Sequence, residues 1–191
     1  MSYRDTVLYT AFQELSYPVH WKHHEARILE YFKVSTGIPY TKASALQVSW
    51  CSYFVHWCLV KGGMQVLPQA GTAGTLGSMG SIGRFMKPSG GKYESFPVFK
   101  KDYVPQPGDM YNRPKPNNHI GFISDVRPLP NGKFEVRTID GNSGPMSFSP
   151  YFDGTINPAT GRTWIGAGFI YQPPGWRSLS DDCWYIKLCD D

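Results

Sequence analysis

The order of helical and strand patterns along the chain constrains its fold more than any other feature. Apolar residues recur at helical spacing within residues 5–16, 23–35 and 50–61, and strand-like patterns follow Pro88. We predict that one strand opens at residues 108–111 and that three further strands cover residues 119–126, 133–140 and 165–171. Helices that precede an antiparallel sheet are typical of the α+β class.

The chain is expected to fold as a single domain, 1–191. Its 191 residues are 41% hydrophobic, which is enough to bury a core without disulfides. Residues 64–75 are rich in glycine, proline and alanine and predict a loop, and residues 75–86 could form a short helix. Residues 172–191 have no clear period, so this tail is either a cap over the core or a frayed end.

Charge and hydropathy exclude several functional classes. The net charge is +4, but the strongest basic cluster is only Lys100-Lys101, so no nucleic-acid partner is predicted. No apolar run approaches the ~20 residues of a membrane span, so no membrane insertion is expected. The N-terminal residues lack the basic-then-apolar pattern of a signal peptide, which predicts a protein made in the cytoplasm that leaves it, if at all, without a cleaved signal.

The four cysteines do not form a disulfide scaffold at this chain length. Cys51 and Cys58 would be separated by about 10 Å along one helix, which is too far for a disulfide. Cys183 and Cys189 could pair if a turn forms between them, and the sequence leaves this open. No clustered cysteine and histidine pattern indicates zinc, so no metal and no cofactor is expected.

Cys51 lies where the third predicted helix begins. Trp50 and Cys51 come first, and Gly62 and Gly63 end the apolar pattern. The unpaired N–H groups and the positive dipole end of a helix N-terminus favour a thiolate, which is the form a nucleophilic cysteine needs. A lone free cysteine is more often a small buried residue, so the nucleophile hypothesis depends on the rest of the sequence.

A cysteine nucleophile needs a base, and His119 is the best candidate among the five histidines. It begins an apolar strand beside a polar loop, so it can be both rigid and accessible. His56 lies five residues beyond Cys51 on the same helix and is interpreted as a partly buried structural residue. The other three are expected to be ordinary solvated residues of the second helix: His20, His23 and His24.

A predicted hairpin supplies the group that would orient His119. Asn131-Gly132 is a strong hairpin-turn signal, and it brings the start of one strand beside the end of the next. His119 is then close to Asp140 and Asn142, which share a face by the two-residue period of a strand. Either could hold the imidazole, and the sequence does not decide between them. The alternative is that Asp140–Gly144 is only a turn.

Three elements in order resemble the CHAP-type amidases of the NlpC/P60 superfamily, which have a papain-like fold. They are Trp-Cys-Ser-Tyr-Phe-Val, then Pro-Gly-Asp followed by His-Ile-Gly, then Ile-Asp-Gly-Asn, and the resemblance covers about residues 40–171. The N-terminal helices 5–35 and the tail 172–191 flank this core. The resemblance implies Cys51 as nucleophile, His119 as base, Asp140 as the third residue and Asn142 as the asparagine of the Gly-Asn turn.

Two further residues are candidates for substrate contacts. Trp50 precedes the cysteine, and Gln47 could serve the oxyanion hole, although it lies four residues before Cys51 and not at the papain spacing. The backbone N–H of Cys51 is the preferred oxyanion donor. Residues 87–105, with Tyr93, Phe96 and Phe99, are longer than the minimal family core and are expected to build one wall of the cleft.

The resemblance implies a monomeric peptidoglycan hydrolase that cleaves an amide of the stem peptide or cross-bridge without a cofactor. The chain is expected to be an antibacterial effector, such as one of a type VI secretion system, that acts in the periplasm or cell wall of a target bacterium and has a cognate immunity protein. The alternatives are a phage lysin or tail-associated endopeptidase, a papain-like cysteine toxin that modifies proteins, and a non-catalytic wall binder.

Overall fold

A computed structural model describes residues 1–63, 94–113, 118–144 and 156–188. The predicted loop over 64–75 and the predicted helix over 75–86 lie outside these residues. Helices precede an antiparallel sheet in the described part, so the expected α+β class is confirmed.

The three helices predicted from periodicity are present, and a short fourth helix accompanies them. The bounds are α1 (Tyr3–Ser16), α2 (Trp21–Thr36), α3 (Lys42–Ala45) and α4 (Cys51–Lys61). Ser2 is the N-cap of α1, and its hydroxyl accepts a hydrogen bond from the Asp5 N–H while the Asp5 carboxylate accepts one from the Ser2 N–H. This reciprocal pair is a capping box.

Seven of the described strands form one antiparallel sheet in the order β1-β9-β2-β3-β4-β7, with β8 paired to β4. Strands β5 and β6 form a separate ribbon. The bounds are β1 (Glu94–Pro97), β2 (Met110–Arg113), β3 (His119–Pro128), β4 (Phe134–Ser143), β5 (Ile156–Asn157), β6 (Arg162–Thr163), β7 (Phe169–Tyr171), β8 (Arg177–Ser178) and β9 (Trp184–Lys187). The predicted hairpin is confirmed, because β3 pairs with β4 around a turn in which Gly132 has φ +73°.

Helix α4 is the centre of the fold. Residues 51–59 are all buried, so this part of the helix is packed on every side instead of along one stripe. The Phe54 ring meets Phe122 of β3 edge-on at 6.0 Å between centroids. A Cβ at Gly141 of β4 would lie 2.7 Å from Phe54, so the glycine allows the close contact between helix and sheet. This packing fixes the start of α4 above the ends of β3 and β4.

The Pro-Gly-Asp segment before β2 has a structural role. Asp109 is fully buried and accepts hydrogen bonds from the Tyr103 hydroxyl at 2.6 Å and from the backbone N–H of Leu188 at 2.9 Å. Arg4 of α1 lies 3.6 Å from the same carboxylate. One aspartate therefore joins the first helix, the loop before β2 and the chain beyond β9.

The described part of the tail, residues 172–188, contributes two strands to the main sheet. Strand β9 lies between β1 and β2, and β8 pairs with β4 at Glu135 and Val136. Ile186 and Leu188 are fully buried in the main core. The tail has no readable period because its two strands are only two and four residues long.

Two other expectations about segments need correction. The strand predicted over 165–171 is limited to β7, because Gly166 packs against the backbone carbonyls of Ala45 and Val48. The described part of residues 87–105 forms β1 and the turn after it, where the Phe96 ring stacks on Tyr103 at 4.2 Å.

The structure also corrects the expectation for His20 and describes Cys183, whose pairing the sequence leaves open. His20 is only 6% exposed, not solvated, and its ring lies 4.6 Å from that of His24. His56 is buried, and burial lowers its pKa to about 4. Cys183 carries a free thiol, and Cys189 lies outside the described residues. No helix in the described ranges has the length and apolar character needed to span a bilayer.

Candidate active site

Cys51 and His119 meet where α4 begins. Cys51 is the first residue of α4, and the His119 imidazole lies close enough to its thiol to lower the pKa of that thiol. The backbone N–H of Ile120 also lowers the pKa of the thiol, and the Ser49 hydroxyl lies 3.5 Å from the sulfur. The structure thus brings together the two side chains that the sequence predicts as nucleophile and base.

Asp140 holds the other side of the imidazole. Nε2 of His119 lies 3.1 Å from Oδ1 of Asp140, as the predicted hairpin requires. A carboxylate only accepts hydrogen bonds, so Nε2 carries a proton. Nδ1 is then the ring nitrogen that remains for the sulfur of Cys51. The order is thiol, imidazole, carboxylate.

The Asp140 carboxylate is 1% exposed and is surrounded by donors. Oδ1 also accepts from the Tyr111 hydroxyl at 2.6 Å, and Oδ2 accepts from the Thr138 hydroxyl at 2.8 Å and from Nη2 of Arg177 at 3.1 Å. These donors favour the ionised carboxylate.

Gly121 provides the space that the Asp140 carboxylate occupies. The two residues are directly paired across β3 and β4. A Cβ at position 121 would lie 2.2 Å from Oδ1 of Asp140, which is closer than real side-chain contacts allow. The glycine of the His-Ile-Gly motif is thus needed for the carboxylate to reach His119.

The three ionisable groups shift each other's pKa values toward a thiolate and an imidazolium. Burial raises the pKa of the Cys51 thiol, but the hydrogen bond and positive charge of His119 outweigh burial and bring it below its ordinary 9.0. Burial lowers the pKa of His119, but Asp140 and Cys51 raise it to about 10. Burial raises the pKa of Asp140, but His119 and Arg177 hold it below its ordinary 3.8.

The described hydrogen bonds of the Asn142 side chain do not include His119, contrary to the expectation that Asn142 could hold the imidazole from the same face as Asp140. Its backbone has φ +53°, and this left-handed conformation breaks the two-residue alternation of β4. Its side chain accepts from the Gly168 N–H at 3.0 Å and donates to the Ile165 carbonyl at 3.0 Å. The residue that orients the imidazole is therefore Asp140.

Asn142 instead acts on Cys51 through Ser49. Because Gly168 offers only a donor and Ile165 only an acceptor, the amide orientation of Asn142 is fixed. Nδ2 then donates to the Ser49 hydroxyl oxygen at 3.0 Å. The hydroxyl hydrogen of Ser49 remains free to point at the sulfur of Cys51. This series of hydrogen bonds adds a donor that favours the Cys51 thiolate.

The two residues predicted to contact substrate do not lie at the site. Trp50 is fully buried, and its indole N–H donates to the Gly166 carbonyl at 2.8 Å. Gln47 is exposed, and its side chain donates to the Ala43 carbonyl at 3.2 Å. Trp50 belongs to the core because the N-cap of a fully buried helix faces inward, and the four-residue separation of Gln47 places it outside the site.

Sequence reasoning missed the residues that support the site from a distance. Arg177 comes from the tail, Tyr111 from β2 and Ser49 from the turn before α4. The ladder that places Tyr111 directly opposite Gly121 could have suggested its proximity to Asp140. Nothing in the local pattern around Arg177 indicates that it reaches the same carboxylate.

A cleft of about 740 Å³ opens beside His119, Asp140 and Asn142. Its other walls come from β2, the turn before α4, the end of β4, residues 162–165 and β8. The described part of residues 87–105 contributes nothing to it, so the expectation of a wall there is wrong for residues 94–105. Cys51 is 1% exposed and is not among the described residues that line the cleft.

Within the described ranges, no group of three or more His, Cys, Asp and Glu side chains is arranged so that it could hold a metal ion. Comparisons with family models, curated proteins and solved structures found no match to this chain. The functional argument therefore rests on the geometry of the site.

Proposed function

We propose that this protein is a papain-like cysteine amidase of the CHAP and NlpC/P60 type that hydrolyses an amide of peptidoglycan. The observation that carries the proposal is the ordered series Cys51, His119, Asp140 at the start of α4, in which Nε2 of His119 lies 3.1 Å from Oδ1 of Asp140 and the imidazole lowers the pKa of the Cys51 thiol. The raised pKa of His119 and the lowered pKa of Cys51 favour the thiolate–imidazolium ion pair over the neutral pair. A wall binder would have no need of this arrangement.

The proposed reaction is acyl transfer through a thioester. The Cys51 thiolate adds to the amide carbonyl carbon, and the negative charge moves to the carbonyl oxygen. Because Cys51 is the first residue of α4, its backbone N–H has no partner within the helix and can donate to that oxygen. Nδ1–H of His119 protonates the leaving nitrogen as the C–N bond breaks.

Hydrolysis of the thioester uses the same imidazole in reverse. Neutral His119 takes a proton from water, the hydroxide adds to the acyl carbon, and the C–S bond breaks to release a carboxylic acid and the Cys51 thiolate. Asp140 remains ionised throughout and stabilises each imidazolium that forms. Because the sulfur is buried, the side chains around it must shift before a substrate carbonyl can reach it.

The deciding experiment incubates purified protein with sacculi and analyses the released muropeptides by mass spectrometry. Cys51→Ser and His119→Ala are expected to release nothing, because the nucleophile or its proton carrier is missing. Cys183→Ala is the matched control, since it removes another buried free thiol and leaves the site intact. Absence of any Cys51-dependent product would eliminate the hydrolase proposal, and the masses identify the bond that is cut.

Directed expression separates a wall enzyme from a protein-modifying toxin. A wall hydrolase acts where peptidoglycan lies, so toxicity is expected when a heterologous export signal sends the chain to the periplasm and not when it stays in the cytoplasm. Cys51→Ser exported in the same way is the control. Toxicity of the cytoplasmic form that depends on Cys51 would favour protein modification instead.

A further inference from the structure

The cleft beside His119 is lined by an excess of positive charge. Its described lining includes three arginines and a single carboxylate, which is Asp140. That carboxylate is already engaged by His119 and by Nη2 of Arg177. The cleft therefore has two further cationic side chains, Arg113 and Arg162, and the described part of its lining holds no second acid to compensate them.

Arg113 and Arg162 differ from the other described arginines. Arg4, Arg27, Arg127 and Arg177 each form an ion pair with a carboxylate, and Arg137 donates to the Gln172 amide. Within the described ranges, neither Arg113 nor Arg162 has a carboxylate within salt-bridge distance. Both are at least partly exposed, and both border the cleft.

The two side chains reach the cleft from different elements. Arg113 ends β2 directly opposite His119 in the ladder, where facing Cβ atoms lie about 4.5–5.5 Å apart. Arg162 begins β6 and is followed by Trp164 and Ile165, which also line the cleft. The cleft beside the imidazole thus offers an anion two guanidinium groups from separate strands, next to the apolar side chains of Trp164 and Ile165.

Unpaired positive charge next to an imidazolium is unfavourable unless an anion joins it, since like charges repel. Guanidinium groups bind planar oxyanions through paired N–H donors, and a cleft of one charge sign concentrates ligands of the opposite sign. A cleft of this volume is large enough for a short peptide.

We propose that Arg113 and Arg162 form a carboxylate-binding subsite, so that the substrate is an acidic peptide with a free carboxylate beside the scissile amide. The carboxylate fixes the peptide in the cleft, and Trp164 and Ile165 contact its aliphatic part. The reference to a scissile amide rests on the proposed function, whereas carboxylate binding beside Cys51 does not.

The first test compares two alkylating reagents and needs no substrate. Iodoacetate carries a carboxylate and iodoacetamide does not, and each transfers its carbon to the Cys51 sulfur with loss of iodide. The rate at Cys51 is followed by peptide mass spectrometry. Arg113→Gln and Arg162→Gln are each expected to lower the iodoacetate-to-iodoacetamide rate ratio by about 3–10-fold, since 1.4 kcal/mol of a charge-assisted hydrogen bond is tenfold.

Arg127→Gln is the matched control for this measurement. It removes an arginine from the far end of β3, paired there with Glu135, and is expected to leave the ratio unchanged. The iodoacetamide rate checks that each variant keeps a reactive Cys51. A ratio that stays constant in both cleft variants, with normal iodoacetamide rates, overturns the subsite.

The second test uses matched muropeptides that carry either a free carboxylate or a carboxamide next to the cleaved bond. Wild-type protein is expected to prefer the carboxylate form through KM, and the cleft variants to lose that preference. Equal KM values for the two forms in the wild type overturn the inference. Should sacculi and muropeptides remain uncut while the alkylation ratio still falls in the cleft variants, the subsite stands and the hydrolase proposal fails.

Discussion

Arg177 donates a hydrogen bond from Nη2 to Oδ2 of Asp140 at 3.1 Å, and His119 lies on the opposite oxygen of the same carboxylate. Asp140 thus lies between Arg177, which stays charged, and His119, which can gain or lose a proton. Arg177 also stacks over the Tyr111 ring at 5.0 Å, which keeps the guanidinium in place. The tail of the chain therefore supports the histidine without touching it.

The first prediction concerns the Arg177–Asp140 pair. Arg177→Met is expected to lower the free energy of unfolding by about 1–2 kcal/mol, since a charge-assisted bond to a buried carboxylate is lost and partial exposure of the arginine screens it. Urea unfolding measures this loss. In an Asp140→Asn background the same substitution should cost clearly less. Equal costs in the two backgrounds would show that the arginine acts elsewhere.

The second prediction concerns pH. The thiolate–imidazolium pair exists above the pKa of Cys51, which lies below 9.0, and below that of His119, which is about 10. Asp140→Asn removes the anion that raises the imidazole pKa, so the His119 limb moves down toward 6.5. Because His119 in the variant is protonated only at lower pH, it stabilises the thiolate less, and the pKa of Cys51 rises toward 9.0.

In Asp140→Asn, the pH range over which the thiolate–imidazolium pair exists is expected to narrow at both its lower and its upper limit. Iodoacetamide labelling of Cys51 between pH 4 and 10 reports the lower limb, and muropeptide turnover reports the upper one. Thr138→Val provides a comparison, because it removes a neutral donor to the same carboxylate and leaves the negative charge in place. Superimposable profiles for wild type and Asp140→Asn would refute the ion-pair assignment.

The third prediction tests the series of hydrogen bonds that runs from Asn142 through Ser49 to the sulfur of Cys51. Ser49→Ala removes the hydroxyl that faces the sulfur, and labelling of Cys51 near pH 6 is expected to slow by about 3–10-fold, the equivalent of one net hydrogen bond. At a pH above 9 the variant and wild type should converge, because the thiolate then forms without help. Ser52→Ala, one residue beyond Cys51 on α4, is the control. A uniform slowing at every pH would contradict a pKa effect.

The fourth prediction concerns Gly121. Gly121→Ala places a methyl group where Oδ1 of Asp140 lies, so the carboxylate must leave His119 or the strands must separate. Turnover is expected to be lost, with the Cys51 labelling profile shifted as in Asp140→Asn. Gly132→Ala is the comparison, since its added methyl meets nothing within 4 Å and only its positive φ is strained, at about 1–2 kcal/mol. Full activity of folded Gly121→Ala would disprove the packing argument.

Local patterns in the sequence predict the parts of the site that depend on local structure. Cys51 at a helix start follows from periodicity, and the approach of His119 to Asp140 follows from a hairpin whose turn is marked by Asn131-Gly132. The direction of Asn142 could not be predicted, since a single left-handed residue reverses the alternation on which the expectation depended. Trp50 was wrongly expected in the cleft, because a pattern does not reveal that α4 is buried on every side.

Contacts between distant segments account for what periodicity could not predict. Arg177 lies 37 residues beyond Asp140, in a strand of two residues with no readable pattern. Ser49 and Asn142 are 93 residues apart and meet through side chains alone. Neither pair leaves a signal in one sequence.

The position of β9 sets an order for synthesis and folding. This strand lies between β1 and β2, although both leave the ribosome long before it. Until residues 184–187 emerge, β2 has an open edge and β1 has no neighbour within the described sheet. A nascent chain that already carries the nucleophile and its base therefore still lacks the arginine at 177 and a closed sheet, so full assembly of the reactive centre waits for translation to pass residue 187.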